Sequence, residues 1–298
     1  MREPIFTGAC PAIVTPFDQS GAINYDRFAQ LIDEQIAAGV DAICAVGTTG
    51  ECSTLTLREH IAAVNFCVKY VNHRVKVIAG AGSNDTSAAV YLSQHAEDSG
   101  ADALLHVTPY YNKCTQNGLY AYYKSICEAV KIPVIAYNVP SRTGVNIQPA
   151  TMARIAEIPN MAGIKDAGGN MSQTMEIFRS IRGKCDLYSG EDALNFPILA
   201  VGGSGVISVL SNVVPADVKK LYTLIKEGRT EEACALQDKL LPLSQACFLE
   251  VNPIPAKAAM NLLGFDAGTP RAPLSEIEPN NKEKLRKSMA DYGLEIKA

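Results

Sequence analysis

The sequence predicts an α/β chain, a (β/α)8 TIM barrel followed by a C-terminal all-helical appendage. Three observations carry that prediction. Short apolar segments alternate with helical patterns roughly every 25 to 30 residues, through eight repeats. The short segments are mostly apolar rather than alternating, as parallel strands are when both faces are covered. No Gly-x-Gly-x-x-Gly fingerprint follows the first of them, so the rival fold, a doubly wound open sheet, lacks its signature.

Taken in order, the expected strands are 10–15, 41–46, 76–80, 103–108, 133–138, 161–165, 185–189 and 205–209. The sixth is the apolar run Met161-Ala162-Gly163-Ile164, bounded by Pro159-Asn160 and Gly168-Gly169. The first helix, 25–38, has Phe28, Leu31, Ile32 and Ile36 at helical spacing. Helix 57–71 opens after Thr54 and Thr56, and helix 86–99 opens near Asn84-Asp85, both N-cap signals. Helices at 117–130, 149–156, 172–181, 193–201 and 216–226 complete the barrel. Past Gly228 the strand signals stop, and 230–241, 254–263 and 281–292 read as helices. The expected division is a barrel domain, 1–227, and a helical domain, 228–298.

Composition narrows the function. Of 298 residues, 47% are hydrophobic and 19% charged, an ordinary globular balance. The net charge is −4 and Lys and Arg form no block, so a nucleic-acid partner is not expected. The first residues lack the apolar core of a signal peptide, and no uncharged apolar stretch is long enough to span a bilayer. Nine cysteines, an odd number with no Cys-x-x-Cys pair, read as buried small hydrophobes or free thiols in a reducing cytoplasm. Four histidines lie scattered without ligand spacing, so no metal site is expected. His106, inside an apolar run, reads as a core residue.

Lys165 is the most telling residue. It ends the sixth strand in apolar company, where desolvation disfavours an ammonium and a neutral amine attacks carbonyl carbon. A strand-end lysine more commonly snorkels to water, so its neighbours decide. Barrel chemistry sits at the C-terminal ends of the strands. There the sequence places Gly47-Thr48-Thr49-Gly50-Glu51, Thr108-Pro109-Tyr110-Tyr111-Asn112-Lys113, Tyr137-Asn138-Val139-Pro140-Ser141-Arg142-Thr143-Gly144, Gly190-Glu191 and Ile207-Ser208. Thr48 and Thr49, in a turn relaxed by two glycines, suit a small carboxylate; standing alone they would be a plain capped turn. Tyr137 and Tyr111 can relay protons or simply pack. Arg142 can grip a second carboxylate bidentately or be a solvated surface residue. Gly202-Gly203-Ser204-Gly205 has no basic partner and reads as a tight turn rather than a phosphate cradle. Glu51 is left open between an active role and a helix cap.

Gly47-Thr48-Thr49-Gly50-Glu51, Tyr137-Asn138-Val139-Pro140 and Gly163-Ile164-Lys165-Asp166 together resemble the pyruvate-dependent class I aldolase and lyase family that includes N-acetylneuraminate lyase. Tyr110-Tyr111-Asn112-Lys113 and Ser141-Arg142-Thr143-Gly144 narrow the likeness to the branch that condenses pyruvate with L-aspartate 4-semialdehyde on the diaminopimelate route to lysine. It extends from Phe6 past Asn252-Pro253-Ile254-Pro255. The resemblance implies a Schiff base between Lys165 and pyruvate with no separate cofactor, a proton relay of Tyr137, Thr48 and Tyr111, and semialdehyde binding by Arg142. It implies that Thr48 and Thr49 hold the pyruvate carboxylate and that Gly190 and Ile207 line the pocket. It further implies a homotetramer, a dimer of dimers, in which Tyr111 is lent across the tight interface. Cys114 stands where the family often has proline. Leu57 and Ala88 stand where lysine-inhibited members have a histidine and a glutamate, while Asn84, His60 and Tyr110 are kept, so feedback by lysine is expected to be weak or absent. The rivals are a lyase of sialic or keto-deoxy sugar acids, with less use for Arg142 and Tyr111, a phosphate-sugar aldolase, and a catalytically silent barrel.

Overall fold

The computed structural model describes residues 3–297. Eight parallel strands, β1 (Gly8–Pro11), β2 (Ala42–Ala45), β3 (Lys76–Gly80), β4 (Ala103–Val107), β5 (Val134–Asn138), β6 (Met161–Asp166), β7 (Asp186–Ser189) and β8 (Gly205–Ser208), form a nearly closed barrel. The ladder runs β1-β8-β7-β6-β5-β4-β3-β2. β1 and β2 meet at a thinner seam, where Ala12 and Cys44 form an isolated bridge and Ile13 N–H donates to the Cys44 carbonyl at 3.0 Å. The Asp41 carboxylate braces this seam. It accepts from Ala9 N–H at 2.8 Å and from the Lys219 ammonium at 2.5 Å.

The surrounding helices are α1 (Tyr25–Ala37), α2 (Leu57–Val71), α3 (Thr86–Ser99), α4 (Gln116–Ala129), α5 (Pro140–Thr143), α6 (Pro149–Ile155), α7 (Met171–Ile181), α8 (Asn195–Ala200) and α9 (Pro215–Lys226). α10 (Thr230–Ala246), α11 (Ile254–Leu262) and α12 (Pro279–Tyr292) form the tail. Thr56 and Glu59 make a capping box at α2, and Asp85 caps α3. One apolar layer fills the barrel, with Cys10, Cys44, Ile78, Ile135, Tyr188 and Ile207. Another lies between strands and helices around Phe28, Ile43, Leu104 and Ile164. A third joins Ala9, Val206 and Leu221 of the barrel to Leu240, Leu285 and Met289 of the tail.

The first strand differs from the expected 10–15. It starts at Gly8 and stops at Pro11, which has no N–H for the ladder. The expected helix 193–201 opens as a 3-10 turn, Asp192–Leu194, before α8. α10 passes the expected stop at 241 and continues through Pro242 to Ala246, because Leu243 and Ala246 bury against the third layer. α5, expected as loop, is one helical turn held by Thr143, whose hydroxyl donates to the Val145 carbonyl at 3.0 Å.

Buried charge fastens the tail. The Lys257 ammonium on α11 is 2.6 Å from Oε1 of Glu51, with both side chains almost fully buried. Burial pulls Lys257 down to about 8 against the opposing pull of Glu51. Arg271 N–H donates to Oε2 of Glu51 at 2.9 Å, and the Arg271 guanidinium forks onto Glu59 at 2.6 and 3.0 Å. Hydrogen bonds from Arg271 lower Glu59 from 4.5 to about 2. A carboxylate depressed in the folded state contributes stability that is present above pH 4.5 and is lost as pH falls toward 2. Arg271→Leu is therefore expected to narrow the drop in Tm between pH 6 and pH 3. An unchanged drop in thermal melts would refute this.

Candidate active site

Strand alternation sends Lys165 into the barrel and Asp166 out toward α7. Lys165 lies between Tyr137 of β5 and Tyr188 of β7 in the sheet register. Asp166 is a buried lock. Its Oδ2 accepts from the Thr174 hydroxyl at 2.5 Å, and its Oδ1 accepts from Asn138 Nδ2 at 3.1 Å and Gly168 N–H at 3.2 Å. This lock fixes the end of β6 and with it the root of the lysine.

The Lys165 side chain is only 5% exposed, and its Nζ sits 4.2 Å from the centre of the Tyr137 ring. It opens into a cleft of about 400 Å³ bordered by Thr49, Tyr137, Arg142, Gly190 and Glu191. Gly190 makes room for it. A β-carbon there would stand 2.8 Å from both Cγ and Cε of Lys165. Glu191 beside it is raised above the usual carboxylate range, first by burial and then by neighbouring Asp192.

The Gly47–Glu51 turn joins β2 to α2. Val46 at φ 54° and Glu51 at φ 57° take left-handed backbone at its two ends. Gly50 is required, since a β-carbon would meet the Val46 Cα at 3.0 Å. The turn is pinned from outside by the Thr15 hydroxyl, which donates to the Gly50 carbonyl at 2.7 Å. Thr49 is buried, and its Oγ1 accepts from Asn252 Nδ2 at 2.9 Å. Arg142 extends from α5, and its Nη1 donates to the Asn252 carbonyl at 3.2 Å.

Lys165, Tyr137, Thr49, Arg142 and Gly190 thus share one cleft. Three other sequence candidates lie elsewhere. Thr48 is half-buried in the same turn but does not border the cleft. Ile207 is fully buried in the barrel interior, packed in the layer that includes Tyr137 and Tyr188. Tyr111 is 90% exposed on a left-handed residue at φ 70°. His106 is a core residue, with Nε2 3.0 Å from the Ser93 hydroxyl and its basicity pulled down to about 3 by burial. Among the described residues no group of three His, Cys, Asp or Glu side chains is placed to hold a metal.

Sequence reasoning missed the fourth wall. Phe248, Glu250, Val251 and Asn252, between α10 and α11, also border the cleft. No local periodicity marks such a segment; only the family likeness reached it, without assigning a role. The Glu51 carboxylate neither caps a helix nor lines the cleft. It is the buried partner of Lys257.

Comparison with known proteins bears on the chain as a whole. A sequence model described as the dihydrodipicolinate synthetase family matches residues 5–291. The chain is 50% identical to the 4-hydroxy-tetrahydrodipicolinate synthase of Acetivibrio thermocellus, over 99% of this chain and 100% of that one. It is 48% identical to that of Caldicellulosiruptor saccharolyticus, over 99% of each. Among solved structures, dihydrodipicolinate synthase from Aquifex aeolicus superposes with a TM-score of 0.96 at 42% identity, covering 98% of this chain and 100% of that one. The Acinetobacter baumannii enzyme complexed with pyruvate superposes with a TM-score of 0.95 at 40% identity, covering 97% and 100%.

Proposed function

The chain belongs to the dihydrodipicolinate synthetase family, and on that premise we propose how its rim carries out the reaction. The reaction is the lyase-class one its relatives are named for, formation of 4-hydroxy-tetrahydrodipicolinate, the step into lysine synthesis through diaminopimelate. The Lys165 amine adds to the C2 carbonyl of pyruvate, and loss of water leaves an iminium. The iminium is an electron sink, so a methyl proton leaves C3 and an enamine forms. The enamine carbon attacks the aldehyde of L-aspartate 4-semialdehyde, whose oxygen takes up a proton. The semialdehyde amine then adds to C2, closes the ring and releases Lys165. Tyr137, Thr48 and Tyr111 are assigned the proton relay; Thr49 on the cleft wall, with Thr48 beside it in the same turn, is assigned the pyruvate carboxylate, and Arg142 the semialdehyde carboxylate. No cofactor is invoked, because the lysine supplies the sink.

One observation carries this reading. A buried lysine amine stands at 4.2 Å over a tyrosine ring in a cleft that a glycine keeps open. Borohydride reduction with pyruvate, followed by peptide mapping, is expected to place the adduct on Lys165, and consumption of aspartate semialdehyde is expected to exceed that of sugar acids. An unlabelled Lys165 would overturn the chemistry; a preference for sugar acids would overturn the substrate.

Tyr111, 90% exposed on its own chain, is assigned to the site of a neighbouring subunit in a homotetramer built as a dimer of dimers. Placement in the cytoplasm is supported by nine free cysteines. No helix among the described residues is long and apolar enough to cross a membrane.

Lysine is expected to inhibit weakly or not at all. Leu57 opens α2 with half its surface exposed, and Ala88 lies in the first turn of α3, so neither offers a carboxylate to the lysine ammonium. His60 is buried with Nε2 2.7 Å from the Gly80 carbonyl. A buried ammonium without a carboxylate partner is costly. Half-inhibition at sub-millimolar L-lysine in an activity titration would refute the expectation.

A further inference from the structure

We propose that Asn252 is a positioning residue that aims the Thr49 hydroxyl at the pyruvate carboxylate and ties that grip to Arg142; this rests on the reading of Thr49 given above. Thr49 Oγ1 carries one proton and two acceptor sites. Asn252 Nδ2 occupies one acceptor site at 2.9 Å, which leaves the Thr49 O–H free to donate to a bound anion. The same residue accepts from Arg142 Nη1 through its backbone carbonyl at 3.2 Å. One side chain and one carbonyl of a single residue therefore hold the groups assigned to the two carboxylates.

Three further features support a positioning role. Asn252 is only 5% exposed and borders the cleft. It stands at the entry to α11, and five residues on, Lys257 of that helix grips Glu51 of the same turn at 2.6 Å. The turn is thus held at Thr49 and again at Glu51 by one segment of the tail. It also needs outside support, since non-glycine residues at φ 54° and 57° persist only where the surroundings enforce them. A buried ion pair is in general no more stabilising than a well-packed apolar pair, which fits a part in geometry rather than in bulk stability.

The chemistry of the amide separates this role from simple packing. Asn252→Asp keeps the shape but turns the donor into an acceptor. The Thr49 hydroxyl would then donate to the new carboxylate and be lost to pyruvate. Asn252→Ser leaves only a hydroxyl close to the backbone, short of the Thr49 oxygen, so the Thr49 proton is free but unaimed. Neither change touches the backbone carbonyl that holds Arg142.

The experiment is steady-state kinetics on both variants, with borohydride trapping of pyruvate as a parallel readout. The pyruvate KM is expected to rise about tenfold in Asn252→Ser and about 100-fold in Asn252→Asp, as for loss of a hydrogen bond to a charged group and then reversal of its sign. The KM for aspartate semialdehyde is expected to stay within about twofold. Equal shifts in both KM values, or a pyruvate KM unchanged in both variants, overturn the proposal. Either variant decides the matter if the other does not fold. Failure of the unsubstituted protein to trap pyruvate on Lys165 would instead overturn the proposed function itself.

Discussion

Lys165→Ala is expected to yield a folded protein that no longer traps pyruvate and whose kcat/KM falls by at least about 10⁴-fold. Folding should survive because the strand's anchors lie on its other face. Asp166 keeps its bonds to Thr174, Asn138 and Gly168, and the backbone register with β5 and β7 does not depend on the lysine. Activity should not survive, because no other amine among the described residues borders the cleft: Arg142 is the only other basic side chain there among them, and a guanidinium does not deprotonate to a nucleophile. Thermal melts, intact mass after borohydride treatment and steady-state rates check each part. Undiminished turnover in the variant would remove the basis of the proposed chemistry.

Gly190→Ala is expected to be the next largest loss, about 100-fold in kcat/KM, with little change in Tm. The backbone of Gly190 lies outside the left-handed region, so alanine brings no strain of its own. The main conflict is with Lys165, whose Cγ and Cε would stand 2.8 Å from the new carbon, with the Ala167 Cβ at 3.1 Å. The lysine shaft is the more mobile partner, so it is displaced and its amine leaves the line of attack. A displacement of about 1 Å at a reacting atom is enough for a loss of this size. A variant with wild-type kcat/KM would show that Gly190 is not needed to seat the lysine.

The barrel was legible because burying a strand on both faces leaves a compositional mark. β3, α2 and α3 lie at 76–80, 57–71 and 86–99, where apolar runs and N-cap residues placed them. The strand-end groups were legible for a related reason: polar residues following an apolar run are conspicuous, and Lys165, Tyr137 and Arg142 stand out that way. Asn252 was not, because its bond to Thr49 spans 203 residues of chain and no local pattern encodes it. Glu51 looked like a helix-cap candidate because capping is a local event, whereas its partner Lys257 belongs to the tail. α5 was missed because a single turn has no periodicity, and Thr143 holds it with hydrogen bonds that spacing does not show. The cross-subunit role proposed for Tyr111 rests on resemblance, since an aromatic residue followed by Asn-Lys says nothing about which subunit it serves.

The weak join between the first two staves has a use beyond architecture. Cys10 and Cys44 stand on either side of it, fully buried, and burial lifts Cys44 to about 11 and Cys10 well above the ordinary thiol range. Closed, neither sulfur meets an alkylating reagent as a thiolate. Labelling of either by iodoacetamide therefore requires the barrel interior to open, and its rate is expected to report on that opening.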